Sequence, residues 1–265
     1  MPAFEEMVNS MATYHHSASF LSARTPLNIA LLMLNVDPRT GPNTHAHKRF
    51  EHLWRQASRR LCADGAANRL HDSLEKQLRG EFLPDLIAGD LDSLRADVAD
   101  FYKANGVPIE GEADQDTHDF EKCLRWLQRW QAGGPPGDAT GASATGAPLP
   151  FSVVAYGAFG GRLDQQMANL NMAYTYDCFQ DFFLISDHSL AYVLRPGRHT
   201  IERNMEVEDG TCGLIPIGGR CDHVRTTGCA PPAPCRRDPS LQRLAGENLQ
   251  SLQGLPLASD AASLP

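Results

Sequence analysis

Apolar residues along the first 187 positions fall into short blocks that alternate with amphipathic segments. The clearest block is the near-continuous apolar run at residues 28–36 (NIALLMLNV), which is typical of a strand buried on both faces. Strands that alternate with helices predict a parallel α/β sheet. Further short strands are predicted at residues 60–63, 84–88, 107–109, 151–156 and 182–185. Helical spacing predicts helices over residues 47–60, 93–105 and 117–130 and around Leu163, Met167, Leu170 and Tyr174.

The pattern changes near residue 188, where short apolar runs no longer alternate with helices. Residues 190–194 and 199–201 predict a hairpin, and residues 212–217 and 223–227 predict further short strands. From Cys229 onward the chain carries prolines where strands should continue, and proline cannot donate to a sheet ladder. The sequence therefore predicts an antiparallel β element that stops at Gly228.

Three further segments are predicted to lie outside the folded core. Residues 131–148 (QAGGPPGDATGASATGAP) are poor in large apolar groups and predict a flexible insertion. Residues 1–26 predict a disordered N-terminal lead, and residues 229–265 predict a mostly disordered tail.

Charge and cysteine content narrow the functional class. Lys plus Arg number 24 and Asp plus Glu number 32, so the net charge of −8 argues against a general nucleic-acid or anionic-membrane binder. The seven cysteines form no C-x-x-C pair, which argues against a zinc ribbon or a disulfide framework. The longest apolar run, residues 29–34, is too short to span a bilayer. We expect a cytoplasmic protein without membrane or nucleic-acid partners.

Acidic residues follow three of the predicted strands. Asp64 follows the first of these strands, Asp90 and Asp92 follow the next, and a third group follows the strand at residues 107–109. The third group comprises Asp114, Asp116 and Asp119. Ligands of open α/β sheets bind at the carboxyl ends of the strands, so about six carboxylates are expected to face one crevice. Such a density of negative charge needs a cation, and Mg²⁺ with substrate phosphates suits these hard oxygen ligands.

A simpler interpretation exists for each acid taken alone. Aspartate is common in turns and at helix N-caps, which accounts for Asp92 before Ser93 and for Asp116 or Asp119 before the next helix. Three clusters at three strand ends favour a metal site over separate caps.

A glycine-rich segment between a strand and a helix, residues 156–165 (YGAFGGRLDQ), is a second candidate. Gly160 and Gly161 permit close backbone approach, and the helix N-terminus that follows favours an anion. Arg162 has the geometry to bind phosphate oxygens, and Asp164 to hold a metal or a substrate proton. The alternative is a tight turn with Asp164 as an N-cap. Neither G-x-x-x-x-G-K-[ST] nor G-x-G-x-x-G occurs in the sequence, which argues against a P-loop enzyme and a dinucleotide oxidoreductase.

Together these motifs resemble thiamine pyrophosphokinases, also called thiamine diphosphokinases. The resemblance covers about residues 28–228, and the order and spacing of the motifs make it specific. The matching segments are LWRQASRRLCADGAANRL (53–70), FLPDLIAGDLDS (82–93), DQDTHDFEKCL (114–124), GAFGGRLDQQMANL (157–170), LRPGRH (194–199), CGLIPIG (212–218) and VRTTG (224–228).

The resemblance implies transfer of diphosphate from ATP to thiamine, giving thiamine diphosphate and AMP. It implies an α/β parallel-sheet catalytic domain over residues 27–187, followed by an incomplete antiparallel β-sandwich domain over residues 188–228 that binds thiamine. It also implies a homodimer whose thiamine site lies between the catalytic domain of one subunit and the β domain of the other.

The resemblance also assigns roles to individual residues. Catalytic roles are implied for Asp90, Asp92, Asp119, Arg162 and Asp164. Contacts to ATP phosphates or thiamine are implied for Asp64, Asp116, Gly160, Gly161 and Gln165. Mg²⁺ ligation is implied for Asp90, Asp92, Asp114 and Asp116.

The departure from the family after Gly228 leaves alternatives open. The residues that follow, CAPPAPCRRDPSLQ, replace the Trp-containing strand and the later strands of the family's sandwich. One alternative is a non-catalytic or impaired product that keeps ATP and Mg²⁺ binding but lacks the complete thiamine site. Another is a different Mg²⁺-dependent nucleotide transferase or hydrolase on the same scaffold.

Overall fold

The computed structural model describes residues 12–23, 25, 27–38, 45–112, 114, 116–133, 150–217, 224, 226 and 227. Within these residues the strands are β1 Thr13–Ser17, β2 Ile29–Met33, β3 Arg59–Ala63, β4 Leu86–Gly89, β5 Ile109–Gly111, β6 Ser152–Tyr156, β7 Asp181–Ile185, β8 Leu190–Ala191 and β9 Arg198–Glu202. The α-helices are α1 His45–Gln56, α2 Ala66–Ser73, α3 Ala96–Ala104, α4 Asp119–Gly133 and α5 Leu163–Thr175. Short 3-10 helices lie at Ser19–Leu21 and Arg79–Glu81.

A seven-stranded sheet in the order β5-β4-β3-β2-β6-β7-β8 forms the centre of the fold. Its neighbouring strands from β5 to β7 are parallel, and only β8 runs antiparallel to β7. The predicted α/β class is therefore confirmed, with a mainly parallel sheet that ends in an antiparallel strand.

Two hydrophobic cores cover the two faces of this sheet. On one face Ile29, Leu31 and Met33 of β2 pack in one core with residues of α1, α2 and α3. On the other face Ala30 and Leu32 pack in a second core with residues of α4 and α5. Because successive strand residues point to opposite faces, a strand covered on both sides must be apolar at every position. All five residues of β2 are buried, as the apolar run predicts.

The order of strands places a switch point between β2 and β6. The chain runs from β2 outward through β3 and β4 to β5, and then returns to place β6 on the other side of β2. The helix after β2 packs on one face, and the helix after β6 packs on the other. Ligands of doubly wound sheets bind at such a point, outside the carboxyl ends of the strands.

The predicted hairpin at residues 190–194 and 199–201 is wrong. Strand β8 pairs instead with β7, antiparallel, and β9 pairs in parallel with β1. Strand β8 follows β7 directly in the chain and pairs with the edge of β7 that would otherwise be free. Strand β1, near the N-terminus, is the partner of β9. Residues 212–217 form no strand in the described part of the chain. Pro216 has no N–H to donate there, and Ile215 and Ile217 are exposed rather than packed.

The N-terminal lead is ordered where the structure describes it, contrary to the expectation for residues 1–26. Residues 12–23 contain β1 and a 3-10 helix whose Phe20 and Leu21 are buried in the core with Phe50 and Phe183. Burial of these two apolar side chains contributes to offsetting the entropy lost on ordering the segment.

Of the predicted insertion 131–148, residues 131–133 continue α4 and the rest lies outside the described residues, as does the tail 229–265. No helix among the described residues combines the length and the hydropathy that a membrane crossing requires.

Candidate active site

Three aspartates meet at the carboxyl ends of adjacent strands. Asp64 follows β3, Asp90 follows β4, and Asp119 is the first residue of α4. One carboxylate oxygen from each of the three lies within 4.8 Å of the others. The structure thus brings together one acid from each of the three predicted groups. We call Asp64, Asp90 and Asp119 the carboxylate cluster.

Local backbone geometry holds the carboxylate cluster in place. Asp64 and Leu91 have φ angles of +40° and +65°, and among the described residues no other non-glycine residue has a positive φ. Such conformations are uncommon and concentrate at functional sites. The Ser93 N–H donates to Oδ2 of Asp64 at 3.2 Å, and the Asp90 N–H donates to Oδ1 of Asp119 at 3.1 Å. The loop after β4 therefore fixes two carboxylates that belong to other segments.

Electrostatics in the carboxylate cluster favour a bound cation. Asp64 is only 3% exposed. Burial, followed by the nearby charge of Asp119, raises the pKa of Asp64, and hydrogen bonds from Ser93 oppose this rise. The Oδ1 atom of Asp64 is buried and has no hydrogen-bond partner among the described residues. A buried oxygen without a donor, beside two further carboxylates, fits a hard divalent cation such as Mg²⁺.

The other predicted acids lie apart from the carboxylate cluster. Asp92 is exposed and accepts a hydrogen bond from the Ser93 hydroxyl at 2.8 Å. Because α3 begins at Ala96, Asp92 is not its N-cap. Asp114 and Asp116 are exposed in one turn, where Asp114 accepts from the Thr117 hydroxyl and from the Asp116 N–H. These hydrogen bonds hold the pKa of Asp114 below its usual range.

The glycine-rich residues 157–162, which we call the glycine loop, lead into the exposed N-terminus of α5. Gly160 and Gly161 have φ angles of +106° and +72°, which favour glycine. No atom of the described residues lies within 4 Å of a Cβ built on either. The Arg162 side chain is 75% exposed and pairs with Asp164, which is 60% exposed. Arg162 occupies the N-cap position and Asp164 lies in the first turn, so Asp164 is not the cap. Gln165 is exposed on the same turn.

A cavity of about 300 Å³ lies at the switch point beside the glycine loop. Val36 after β2, Phe159 and Gly160 after β6, and residues 186–189 after β7 line it. The buried Arg49 donates to the Asp187 carbonyl at 3.4 Å, and the Tyr156 hydroxyl donates to the Asp187 carboxylate at 3.4 Å. The cavity therefore combines an apolar wall with a polar wall.

Sequence reasoning missed two parts of this region. Residues 186–189 carry no motif, and only the sheet order brings them to the cavity. Lys122 is 1% exposed and forms an ion pair with Asp119 at 3.1 Å. Its one sequence signal is its position among the buried apolar residues of the stripe formed by Phe120, Cys123, Leu124 and Leu127.

Comparisons with known proteins find similar chains in one family. A family model described as thiamin pyrophosphokinase, catalytic domain, matches residues 50–183. Thiamine pyrophosphokinase 1 of Arabidopsis thaliana is 34% identical over 235 residues, covering 83% of this chain and 80% of that protein. Thiamine pyrophosphokinase 3 of Oryza sativa subsp. japonica is 35% identical over 210 residues, covering 75% and 70% of the two chains. The crystal structure of yeast thiamin pyrophosphokinase is similar in fold, with a TM-score of 0.64 at 24% identity over 80% of this chain and 76% of that chain.

Proposed function

The chain belongs to the thiamin pyrophosphokinase family, and from this premise we propose that it transfers a diphosphate group from ATP to thiamine. The hydroxyethyl oxygen of thiamine becomes bonded to the β-phosphorus of ATP, and AMP leaves. The observation that carries the proposal is the carboxylate cluster, whose three members all lie within the matched residues 50–183. A cluster of this kind suits a reaction in which negative charge accumulates on phosphate oxygens.

Mg²⁺ is the cofactor that we propose for this reaction. Asp64, Asp90 and Asp119 would hold the ion directly, because they are the acids that the fold brings together. When bound, Mg²⁺ neutralises charge on the phosphate oxygens of the transferred group. Asp92, Asp114 and Asp116 stay predictions as ligands. Their exposed carboxylates suit contacts through the water molecules that Mg²⁺ usually retains.

The glycine loop is the part that we propose for phosphate recognition. Gly160 and Gly161 leave room for phosphate oxygens at the N-terminus of α5, where free N–H groups and the helix dipole favour an anion. Arg162 would exchange its present partner, Asp164, for phosphate oxygens. Asp164 and Gln165 would then be free to face thiamine, and one of the site's carboxylates would accept the hydroxyl proton.

A homodimer is the assembly that we propose. Leu163, Met167 and Tyr174 recur at helical spacing on α5 and are 70%, 46% and 52% exposed. An apolar stripe of this kind favours contact with a second protein surface. Because α5 carries the glycine loop at its N-terminus, a second copy seated there would border the site. Light scattering after size exclusion measures this directly, with a mass near twice 29.0 kDa expected.

A cytoplasmic location is the last part of the proposal. Cys62, Cys123 and Cys178 form no disulfide within the described part of the chain. Free thiols suit a reducing compartment.

An assay of the purified full chain tests the function. ATP and Mg²⁺ are supplied with or without thiamine, and AMP and thiamine diphosphate are both measured. We expect equal amounts of the two products, formed only when thiamine and Mg²⁺ are present. AMP release that does not depend on thiamine would favour a different nucleotide hydrolase. ATP–Mg²⁺ binding without either product would favour the non-catalytic alternative.

A further inference from the structure

A charged side chain lies buried directly behind the carboxylate cluster. Lys122 lies one helical turn after Asp119 on α4, and its side chain is 1% exposed. Its Nζ atom lies 3.1 Å from Oδ1 of Asp119. The same Oδ1 atom accepts the backbone N–H of Asp90 at 3.1 Å. Two donors from different segments therefore hold one oxygen of this carboxylate, which limits rotation of the side chain.

Stability alone does not account for a lysine at this position. Its neighbours on α4, Phe120, Cys123 and Leu124, are buried and apolar. An apolar side chain of similar volume would fill the same space without the cost of removing an ammonium group from water. The residue is therefore better explained by what its charge does to Asp119.

Direct contact with a substrate does not account for it either. A side chain that is 1% exposed does not offer its ammonium group to a phosphate in the crevice. The Asp119 side chain, in contrast, is 31% exposed and so remains accessible to a cation. Lys122 thus lies on the protein side of Asp119, and the crevice lies on the other side.

We propose that Lys122 is a positioning residue, whose ammonium group fixes the Asp119 carboxylate in the orientation that binds a divalent cation. The inference rests on the proposed function only in taking the carboxylate cluster as a cation site. Residues that orient metal ligands typically change metal affinity or activity by about 10- to 100-fold when they are replaced.

The direction of the change in cation affinity distinguishes a positioning role of Lys122 from a purely electrostatic effect of its charge. Removing a positive charge near the cluster would by itself strengthen the binding of a cation. If Lys122 orients Asp119, its replacement weakens that binding. The two explanations therefore predict opposite results for Lys122→Met, a neutral change of similar volume.

Mn²⁺ binding to the full chain tests the proposal without any nucleotide. Free Mn²⁺ is measured by electron paramagnetic resonance for the wild type, Lys122→Met, Asp119→Asn and the double variant, with the exposed Lys103→Met as control. We expect each single change at the site to weaken binding about 10- to 100-fold. The double variant is expected to bind within about twofold of Asp119→Asn, because Lys122 acts through Asp119.

Several results would overturn the inference. Unchanged or tighter Mn²⁺ binding by folded Lys122→Met would do so, as would additive losses in the double variant. If Lys122→Met does not fold, Lys122→Leu, which likewise removes both the donor and the charge, allows the same comparison. A wild type that binds no Mn²⁺ also overturns it. If the variants show the expected coupling but the wild type releases no AMP, the proposed function is contradicted and the role of Lys122 stands.

Discussion

Gly89 lies so close to Asp64 that a Cβ atom built on the glycine would be 2.6 Å from the Cβ of the aspartate. The same Cβ would lie 3.1 Å from Oδ1 of Asp119. Gly89 is the last residue of β4 and directly precedes Asp90. The absence of a side chain at this one position therefore lets the acids of neighbouring segments approach each other.

Gly89→Ala is expected to damage both the fold and the site. A methyl group there must displace Asp64 or Asp119, and overpacking of this kind typically lowers the free energy of unfolding by about 1–3 kcal/mol. Displaced ligands should also lower AMP release by more than about tenfold. Urea unfolding and the AMP assay measure the two effects. Gly80→Ala is the control, since no atom in the described part of the chain lies within 4 Å of a Cβ built on Gly80. Equal unfolding free energies and equal AMP release for the two variants would contradict the close packing around Gly89.

Some of this site is visible in the sequence, and some depends on distances that only the fold sets. The period of the apolar residues identifies buried strands such as β2, and the carboxyl ends of parallel strands share one edge. That edge was therefore predictable from the positions of Asp64 and Asp90. Which acids touch was not, because Asp92 and Asp116 lie as near in sequence and yet face solvent. The strand β1 was missed because TYHHS has no aliphatic residue and looks like a polar lead.

Arg162→Lys is expected to lower turnover by at least about tenfold while the thermal midpoint stays unchanged. Lysine keeps the charge but loses the planar fork that binds phosphate oxygens with two parallel hydrogen bonds. Because the Arg162 side chain is 75% exposed, its replacement removes little packing. Steady-state kinetics with varied ATP measure the effect, with the exposed Arg55→Lys on α1 as control. If Arg162→Lys kept the ATP affinity and turnover of the wild type, Arg162 would be only a surface charge at the start of a helix.

The docking of β1 is expected to weaken in acid. Nε2 of His16 lies 2.9 Å from Nδ1 of His199, and the ring of His16 stacks on Tyr192. Burial, followed by the charges of His199 and His15, lowers the pKa of His16 from 6.5 to about 4. The folded state thus disfavours the protonated ring. Its stability relative to the unfolded chain is fully present above pH 6.5 and is lost as the pH falls toward 4.

Unfolding free energies measured between pH 7 and pH 4 check this expectation. His16→Phe keeps the ring stack but cannot titrate, so its loss of stability over this range should be smaller than that of the wild type. His118→Gln, a change at an exposed position outside β1, should follow the wild type. Parallel curves for His16→Phe and the wild type would show that His16 does not contribute to the acid sensitivity.

Asp90→Asn tests most directly whether the carboxylate cluster acts through a cation in diphosphate transfer. Asparagine keeps an acceptor for the Asp92 N–H, which now donates to Oδ1 of Asp90 at 3.2 Å, but removes one charge of the cluster. AMP release by this variant and its thermal midpoint without Mg²⁺ are measured together, with the exposed Asp100→Asn as control. We predict that AMP release falls below about 1% of the wild type, as expected when a metal ligand is lost. The midpoint should stay unchanged or rise, because repulsion between carboxylates is relieved. Substantial AMP release by Asp90→Asn, or an activity loss that merely follows a lowered midpoint, would contradict the account.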